Sequence, residues 1–178
     1  MGLSSSPSVF GPGISCWEAQ KVGSLTPGEA GEFERILNEM GQLSSQAQGL
    51  SSAITTTDKL RASNDRVYVI CDGKGSIVQG FLRLGMKHLF LYPDDGGSMF
   101  EEDMLCLLDF YVRENIQRKG LGFAVFDSAL KSEGVAPAEI AYDRPSRKLP
   151  PFLSKHFGLE NGLDQPNRFM VFREHFGG

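Results

Sequence analysis

Apolar positions along the chain switch between the spacing of a helix and the spacing of a strand. The first helical run follows residues 26–29, which match a capping box with proline at the first helical position. Its apolar residues recur at steps of three and four, namely Phe33, Ile36, Leu37 and Met40. The pattern predicts a helix from about residue 27 to the low 40s.

The segment after this run is small and polar, with many serines and threonines between residues 44 and 64. It is interpreted as the fraying end of the helix and a connection that includes at most one short turn. Runs rich in β-branched and aromatic residues then predict strands at 66–71, 76–85, 87–92, 104–112, 139–143 and 168–176. The run 104–112 is apolar enough to be a central strand buried on both faces.

Two further helices are predicted in the second half of the chain. One carries an apolar face from Phe123 to Leu130 and stops near Gly134. The other is expected to be capped by Ser146 and ended by Gly158. The resulting order predicts an α/β (α+β) fold with a mixed, mostly antiparallel sheet flanked by helices. One domain is expected over residues 26–178, preceded by a segment 1–25 that is either a first strand or a partly flexible arm.

Composition narrows the classes of function. The 178 residues include 18 Lys and Arg against 22 Asp and Glu, a net charge of −4 that does not favour nucleic-acid or membrane partners. Three cysteines without a CxxC pair, and three scattered histidines, predict neither a disulfide framework nor a metal site. The chain lacks a run of about 18 apolar residues. We therefore expect a protein of a reducing, cytoplasmic compartment without a metal. We also expect it to be a monomer.

A basic, glycine-spaced loop lies between the run 104–112 and the next helix. Residues 117–122 read Gln-Arg-Lys-Gly-Leu-Gly. Free N–H groups and the dipole at a helix start attract anions, and glycine lets a phosphate approach the backbone. The spacing matches neither the P-loop nor the GxGxxG fingerprint. A local phosphate site of another kind is predicted.

This loop resembles the Q/R-x-x-G-x-G/A pyrophosphate loop of the GNAT acetyltransferases. The segments "CLLDFYVRENIQRKGLG", "DRPSRKLPPFLSKHFGL", "NRFMVF" and "QAQGLSSAIT" together are similar to the α-tubulin N-acetyltransferase family, in order over residues 30–176. The resemblance implies a GNAT-like fold and acetyl transfer from acetyl-CoA. The acceptor it implies is the luminal loop lysine of α-tubulin in microtubules, acetylated directly in a ternary complex.

The resemblance also implies site residues. Gln48, Cys106 and Asp143 stand at the family's activity positions, the last two as proton acceptors. Acetyl-CoA contacts are expected in two segments: Phe110, Tyr111, Val112, Arg113, Gln117, Arg118, Lys119, Gly120, Leu121, Gly122 and Phe123, then Ser146, Arg147, Lys148 and Lys155. Arg144 is expected to contact the substrate. A base is required because a lysine with a pKa of about 10.4 must lose a proton before it attacks a thioester.

Plainer interpretations stand beside these. A cysteine inside an apolar strand is more often a small buried hydrophobe than a catalytic group, and an aspartate before Arg-Pro is more often a turn former. The basic residues from 144 to 155 equally fit a solvated helix face or a basic rim. Pro150-Pro151 departs from the family pattern beside the second CoA segment. Two other functions remain open: acetylation of another amine, and a non-catalytic module that binds CoA or microtubules.

Overall fold

The computed structural model describes residues 7–177 and contains a seven-stranded sheet. The strands are β1 (Gly13–Trp17), β2 (Arg66–Cys71), β3 (Val78–Leu91), β4 (Phe100–Val112), β5 (Ala141–Asp143), β6 (Leu163–Asp164) and β7 (Phe169–Val171). The helices of this part of the chain are α1 (Ala19–Gly23), α2 (Pro27–Ala47), α3 (Thr57–Arg61), α4 (Leu121–Glu133) and α5 (Leu149–Phe157). The sheet order is β1-β2-β3-β4-β5-β7-β6.

The sheet is mixed and mostly antiparallel, as predicted. β4 pairs with β5 in parallel, through Cys106 with Ala141 and Leu107 with Tyr142. β1 pairs antiparallel with β2, and β7 pairs antiparallel with both β5 and β6. The first strand resolves the choice left open for residues 13–17, and residues 1–6 of the expected arm lie outside the described residues.

Helix α2 begins as predicted and ends later than predicted. The Thr26 hydroxyl accepts from the N–H of Glu29, and the Glu29 carboxylate accepts from the N–H of Thr26, which completes the capping box. The helix continues through Ala47 although its last turns contain Ser44 and Ser45. Both hydroxyls are buried and donate to acceptors outside the helix, so they do not compete for its backbone. The short turn expected in the following connection is α3.

Several predicted element bounds were wrong. The runs 76–85 and 87–92 form the one strand β3, since the chain continues without a turn between them. β4 begins at Phe100 rather than near 104, and its first residues are exposed. The last strand stops at Val171 and gives way to a 3₁₀ turn over Arg173–Phe176. The short elements α1 and β6 were not predicted.

The predicted cap of helix α5 was also wrong. The helix begins at Leu149 with Lys148 at the N-cap, and Ser146 lies in the preceding turn, where its carbonyl accepts from the N–H of Leu149 at 3.1 Å. Pro150 and Pro151 lack an N–H and are tolerated only in the first turn, which places the helix start just before them. The helix ends as predicted at Gly158, whose φ is +65°.

The described residues form two compact units. The first unit contains the chain up to Arg83 together with Asp109–Ala129, and the second contains Leu84–Leu108 with the chain from Leu130 onward. The core of the first unit packs one face of α2 against β1 and β2, and includes Trp17, Phe33 and Leu37. The core of the second unit includes Leu91, Cys106 and Val171. Strands β3 and β4 each contribute residues to both units.

Candidate functional site

The first unit contains a buried carboxylate on β4. Asp109 is 5% exposed, and its Oδ1 accepts from the Ser44 hydroxyl at 2.7 Å and from the N–H of Phe110 at 3.0 Å. Its Oδ2 accepts from the Thr55 hydroxyl at 2.7 Å. The amide Nε2 of Gln48 lies 3.5 Å from Oδ1. Asp109 therefore joins the end of helix α2 and the loop before α3 to the central strand.

Burial raises the pKa of Asp109 above its usual value. The hydrogen bonds from Ser44, Thr55 and the N–H of Phe110 act in the opposite direction, as does the positive charge of Arg83. Arg83 is itself paired, because its guanidinium donates to Asp65 Oδ2 at 2.7 Å. The carboxylate is thus surrounded by donors, as a buried charge requires.

Gln48 is the C-cap residue of α2 and is half-buried. Its Nε2 donates to the Ser44 carbonyl at 3.3 Å and to the Ser44 hydroxyl oxygen at 3.1 Å. The backbone N–H of Gln48 reaches the carbonyls of Ser44 and Ser45. The predicted activity residue is therefore held by the last turn of its own helix and by the buried carboxylate.

The predicted phosphate loop has the backbone geometry of an anion site. Arg118 has φ +67° and Gly120 has φ +80°, so the chain turns twice through the left-handed region before α4 begins at Leu121. Among the described residues, the N–H groups of residues 118–122 have no hydrogen-bond acceptor. Successive N–H groups exposed in this way at a helix start bind anions. Arg118 and Lys119 are exposed and add positive charge.

The end of β4 leads directly into this loop. The N–H of Arg113 donates to the Gln79 carbonyl at 2.9 Å, and its Nε donates to the Val78 carbonyl at 2.6 Å. Gln117 Nε2 donates to the Val112 carbonyl at 2.8 Å. β3 also approaches closely, since a Cβ at Gly80 would lie 2.8 Å from the Tyr111 carbonyl oxygen. These contacts hold the strand end and its following loop in place.

Two aromatic side chains lie on the elements that precede and follow the loop. The ring of Phe110 packs against Phe126 of α4 with centroids 5.7 Å apart. Phe123 is 36% exposed. A surface depression next to the strand end is lined by Leu43 and Ala47 of α2 and by Tyr111. Burial raises the pKa of Tyr111, and the negative charge of Glu114 adds to that rise.

The second unit brings Cys106 and Asp143 onto one face of neighbouring strands. Cys106 is opposite Ala141 in the parallel β4–β5 pair, and Asp143 is two residues beyond Ala141 on the same face. Standard strand spacings put their Cα atoms about 8 Å apart. Cys106 is 0% exposed, and its thiol donates to the Met104 carbonyl at 3.4 Å. Asp143 is half-buried.

The segment after β5 has unusual backbone geometry. Arg144 has φ +45°, a backbone conformation that residues other than glycine rarely adopt. Its N–H donates to the Arg168 carbonyl at 2.9 Å. The turn before α5 then exposes Arg147 and Lys148, and Lys155 is exposed on the helix. The basic residues predicted from the sequence are thus exposed, with Arg147 and Lys148 just before α5 and Lys155 in its last turn.

The structure divides the predicted residues between its two units, and it adds other residues. Gln48 and the segment from Phe110 to Phe123 belong to the first unit, whereas Cys106, Asp143 and the segment from Arg144 to Lys155 belong to the second. Asp109, Ser44 and Thr55 were not identified from the sequence. The available signal was an acidic residue inside the apolar run "CLLDFYV", which a buried strand tolerates only if donors surround it.

Neither a metal centre nor a membrane span is found in the described part of the chain. Residues 7–177 contain no group of three or more His, Cys, Asp or Glu side chains placed to hold a metal ion. Within the same residues, the helices are too short or too polar to cross a bilayer.

Comparison with known proteins finds that this chain is similar to acetyltransferases. The family model described as "GNAT acetyltransferase, Mec-17" matches residues 17–178. A protein of Aedes aegypti named alpha-tubulin N-acetyltransferase is 44% identical over 147 residues, which cover 82% of this chain and 54% of the relative. A protein of Plasmodium knowlesi with the same name is 38% identical over 146 residues, which cover 82% of this chain and 77% of the relative. A relative from Tetrahymena thermophila is 43% identical over 145 residues, covering 82% and 36%. The chain spans about a third to a half of several of these relatives.

Solved structures support the fold. The xEco2 acetyltransferase domain, solved bound to a CoA conjugate, superposes with a TM-score of 0.57 at 15% identity and covers 93% of this chain and 94% of its own. The seven-stranded mixed sheet flanked by helices is thus a GNAT fold. From the family match over nearly the whole sequence, we conclude that this chain belongs to the Mec-17 family of GNAT acetyltransferases.

Proposed function

We propose that this protein transfers the acetyl group of acetyl-CoA to the luminal loop lysine of α-tubulin in microtubules. The observation that carries the proposal is the loop 117–122, where five successive N–H groups have no acceptor among the described residues and two exposed cationic side chains lie at the start of α4. The tubulin acceptor is supported by the names of the relatives. On this proposal the protein acts in the cytoplasm, as a monomer, on the microtubule cytoskeleton.

The residues at the end of β4 fit a CoA thioester. The diphosphate of CoA would be bound by the N–H groups of residues 118–122 and by the charges of Arg118 and Lys119. The pantetheine would run along the backbone of β4 from Phe110 to Arg113, since strand edges bind extended chains through backbone hydrogen bonds. Arg147, Lys148 and Lys155, with the preceding Ser146, would supply further contacts to the phosphates.

The chemical step requires a lysine without its extra proton. The amine nitrogen attacks the thioester carbonyl carbon, the C–S bond breaks, and CoA leaves as a thiolate that takes up a proton. We propose that Asp143 and Cys106 accept the proton lost by the lysine, and that a backbone N–H of β4 stabilises the charge on the carbonyl oxygen. The transfer is direct, without an acetylated cysteine. Gln48 and Arg144 would orient the substrate.

The test is transfer of labelled acetyl groups to unacetylated microtubules. Wild type should label α-tubulin, and tubulin whose luminal loop lysine is replaced by arginine should stay unlabelled. Asp143→Asn and Cys106→Ala should each reduce kcat at least tenfold, about 1.4 kcal/mol of transition-state stabilisation.

Matched controls separate chemistry from folding. Cys71→Ala removes another buried thiol, and Asp164→Asn removes an exposed carboxylate from β6 of the same unit as Asp143. Both controls should keep kcat within about twofold. If wild type binds acetyl-CoA and labels other amines but not tubulin, the assignment of the acceptor is wrong. If it binds CoA and labels none, the chain is a binding module.

A further inference from the structure

The hydrogen-bond directions around Asp109 form a one-way chain. The hydroxyl of Ser44 has a single proton, and in the 2.7 Å contact the hydroxyl donates it as a hydrogen bond to Oδ1 of the Asp109 carboxylate. The Ser44 oxygen is then left as an acceptor, which Gln48 Nε2 contacts at 3.1 Å. The polarity therefore runs from the Gln48 amide through Ser44 to the buried carboxylate.

This chain determines which way the Gln48 amide faces. The three groups around its inner end are the Ser44 carbonyl, the Ser44 hydroxyl oxygen and Asp109 Oδ1, and all three accept hydrogen bonds. An amide oxygen in that position would meet only acceptors, so the NH₂ group occupies it. The carbonyl Oε1 consequently points away from the carboxylate. Among the described residues, none donates a hydrogen bond to it.

We propose that Asp109 is a positioning residue that acts through Ser44 to present Oε1 of Gln48 as a hydrogen-bond acceptor for the acceptor amine. The proposal rests on the proposed function, because it supplies a role for Gln48 in that reaction. A neutral lysine amine has two N–H bonds and one lone pair. An acceptor that binds one of these N–H bonds limits the directions in which the lone pair can point, which favours attack on the thioester.

The burial of the network supports this role. Ser44 and Thr55 are each 0% exposed and Asp109 is 5% exposed, so the three groups hold one arrangement behind a half-buried glutamine. The N–H of Phe110, next along β4, binds the same carboxylate oxygen as Ser44. The orientation of Gln48 is thereby linked to the strand on which the thioester is proposed to lie.

The experiment is a double-mutant cycle on microtubule acetylation. Ser44→Ala and Asp109→Ala should each lower kcat about tenfold, while KM for acetyl-CoA stays within twofold. Asp109→Asn should retain most of the activity, because an amide oxygen can still accept from Ser44 while its NH₂ faces the Thr55 hydroxyl. In a Gln48→Ala background, Ser44→Ala should lower kcat by less than a further twofold, since Ser44 acts through Gln48 and that side chain is gone.

A matched control removes a buried hydroxyl of the same unit that does not touch the network. Thr57→Val deletes the hydroxyl that binds Asn38 Oδ1 at 3.1 Å, and should change kcat less than twofold in either background. Thermal unfolding of every variant confirms that it is folded. Equal losses from Ser44→Ala with and without Gln48 would overturn the proposal, and so would a loss from Thr57→Val as large as that from Ser44→Ala.

An NMR measurement tests the positioning of Gln48 independently of acetylation activity. In ¹⁵N NMR spectra the side-chain amide protons of Gln48 should exchange slowly with water in wild type, and at least tenfold faster in Ser44→Ala. If wild type fails to acetylate tubulin, the proposed function is wrong, and unchanged exchange in Ser44→Ala would overturn the positioning role by itself.

Discussion

Replacing Gly41 by alanine should destabilise the protein strongly although alanine is the better helix former. Gly41 is buried in the interior of α2, where the carbonyl of Thr55 approaches the helix. A Cβ at position 41 would lie 2.0 Å from the Thr55 oxygen and 3.0 Å from the Thr55 carbonyl carbon. The absence of a side chain at Gly41 is therefore what allows this loop to pack on the helix.

The size of the effect follows from these distances. To reach an ordinary contact of 3.4 Å, the Thr55 carbonyl must move by about 1.4 Å, the difference from 2.0 Å. Overpacking of this kind costs about 1–3 kcal/mol. The movement also weakens the Thr55 hydrogen bond to the Asp109 carboxylate, worth about 1.5–3 kcal/mol. Alanine returns about 1 kcal/mol of helix propensity. We expect a net loss of about 3 kcal/mol.

The assay is urea unfolding followed by tryptophan fluorescence. Trp17 is the one tryptophan in the sequence, and it is buried against Phe33 of α2 with ring centroids 5.0 Å apart. With an m-value of about 2 kcal/mol/M, the midpoint of Gly41→Ala should fall by about 1.5 M. Gly31→Ala is the matched control, since Gly31 lies in the same helix and a Cβ there meets open space. It should raise stability by about 0.5–1 kcal/mol.

One result would refute this reasoning. If Gly41→Ala unfolds within about 0.5 kcal/mol of wild type, or becomes more stable as Gly31→Ala should, then the loop at Thr55 does not approach the helix as described. Acetyl transfer offers a second check. Displacement of Thr55 should lower kcat in Gly41→Ala even under conditions where the variant is fully folded.

Three further predictions concern the loop, a surface histidine and the cysteines. Gly120→Ala should weaken acetyl-CoA binding at least fivefold in calorimetry, because φ at this position is +80° and the left-handed conformation costs alanine about 1–2 kcal/mol; a dissociation constant within twofold of wild type would contradict it. The hydrogen bond to Asp103 raises the pKa of His88 most, and the bond to Glu101 raises it further. Protonated His88 therefore stabilises the fold fully below about pH 6.5, and this stabilisation is lost as the pH rises through the raised pKa. NMR titration should show a midpoint above 6.5 that returns toward 6.5 in Asp103→Asn, and an unchanged midpoint would exclude this pairing. Iodoacetamide should modify Cys16 at least tenfold faster than the fully buried Cys106, as measured by mass spectrometry, and equal rates would conflict with the burial of Cys106.

Local signals were sufficient for most elements and for the turn at residues 117–122, which is proposed to bind a phosphate. A few consecutive residues are enough to specify each of three features: the capping box at Thr26, the helix end at Gly158 and the basic turn at residues 117–122. Their physical basis is equally local: a side chain that binds a nearby N–H, or a glycine that adopts positive φ. Such features need no knowledge of which segments meet.

The predicted end of α2 was wrong because partners outside the helix decided it. Ser44 and Ser45 predict a fraying helix by themselves, but their hydroxyls bind Asp109 and the Ser52 carbonyl, so α2 continues through them. The predicted cap at Ser146 failed for a nearer reason, because Pro150 and Pro151 can occupy only the first turn of a helix.

The sequence by itself determined the family, the start of helix α2 and the loop expected to hold CoA, because each depends on residue types at short fixed spacing. Only the tertiary structure decided the surroundings of Asp109. Its partners Ser44 and Thr55 lie 65 and 54 positions away in the chain, and a buried carboxylate is stable only where such donors converge. The orientation of the Gln48 amide depends on that convergence, so it could not be derived from any local pattern.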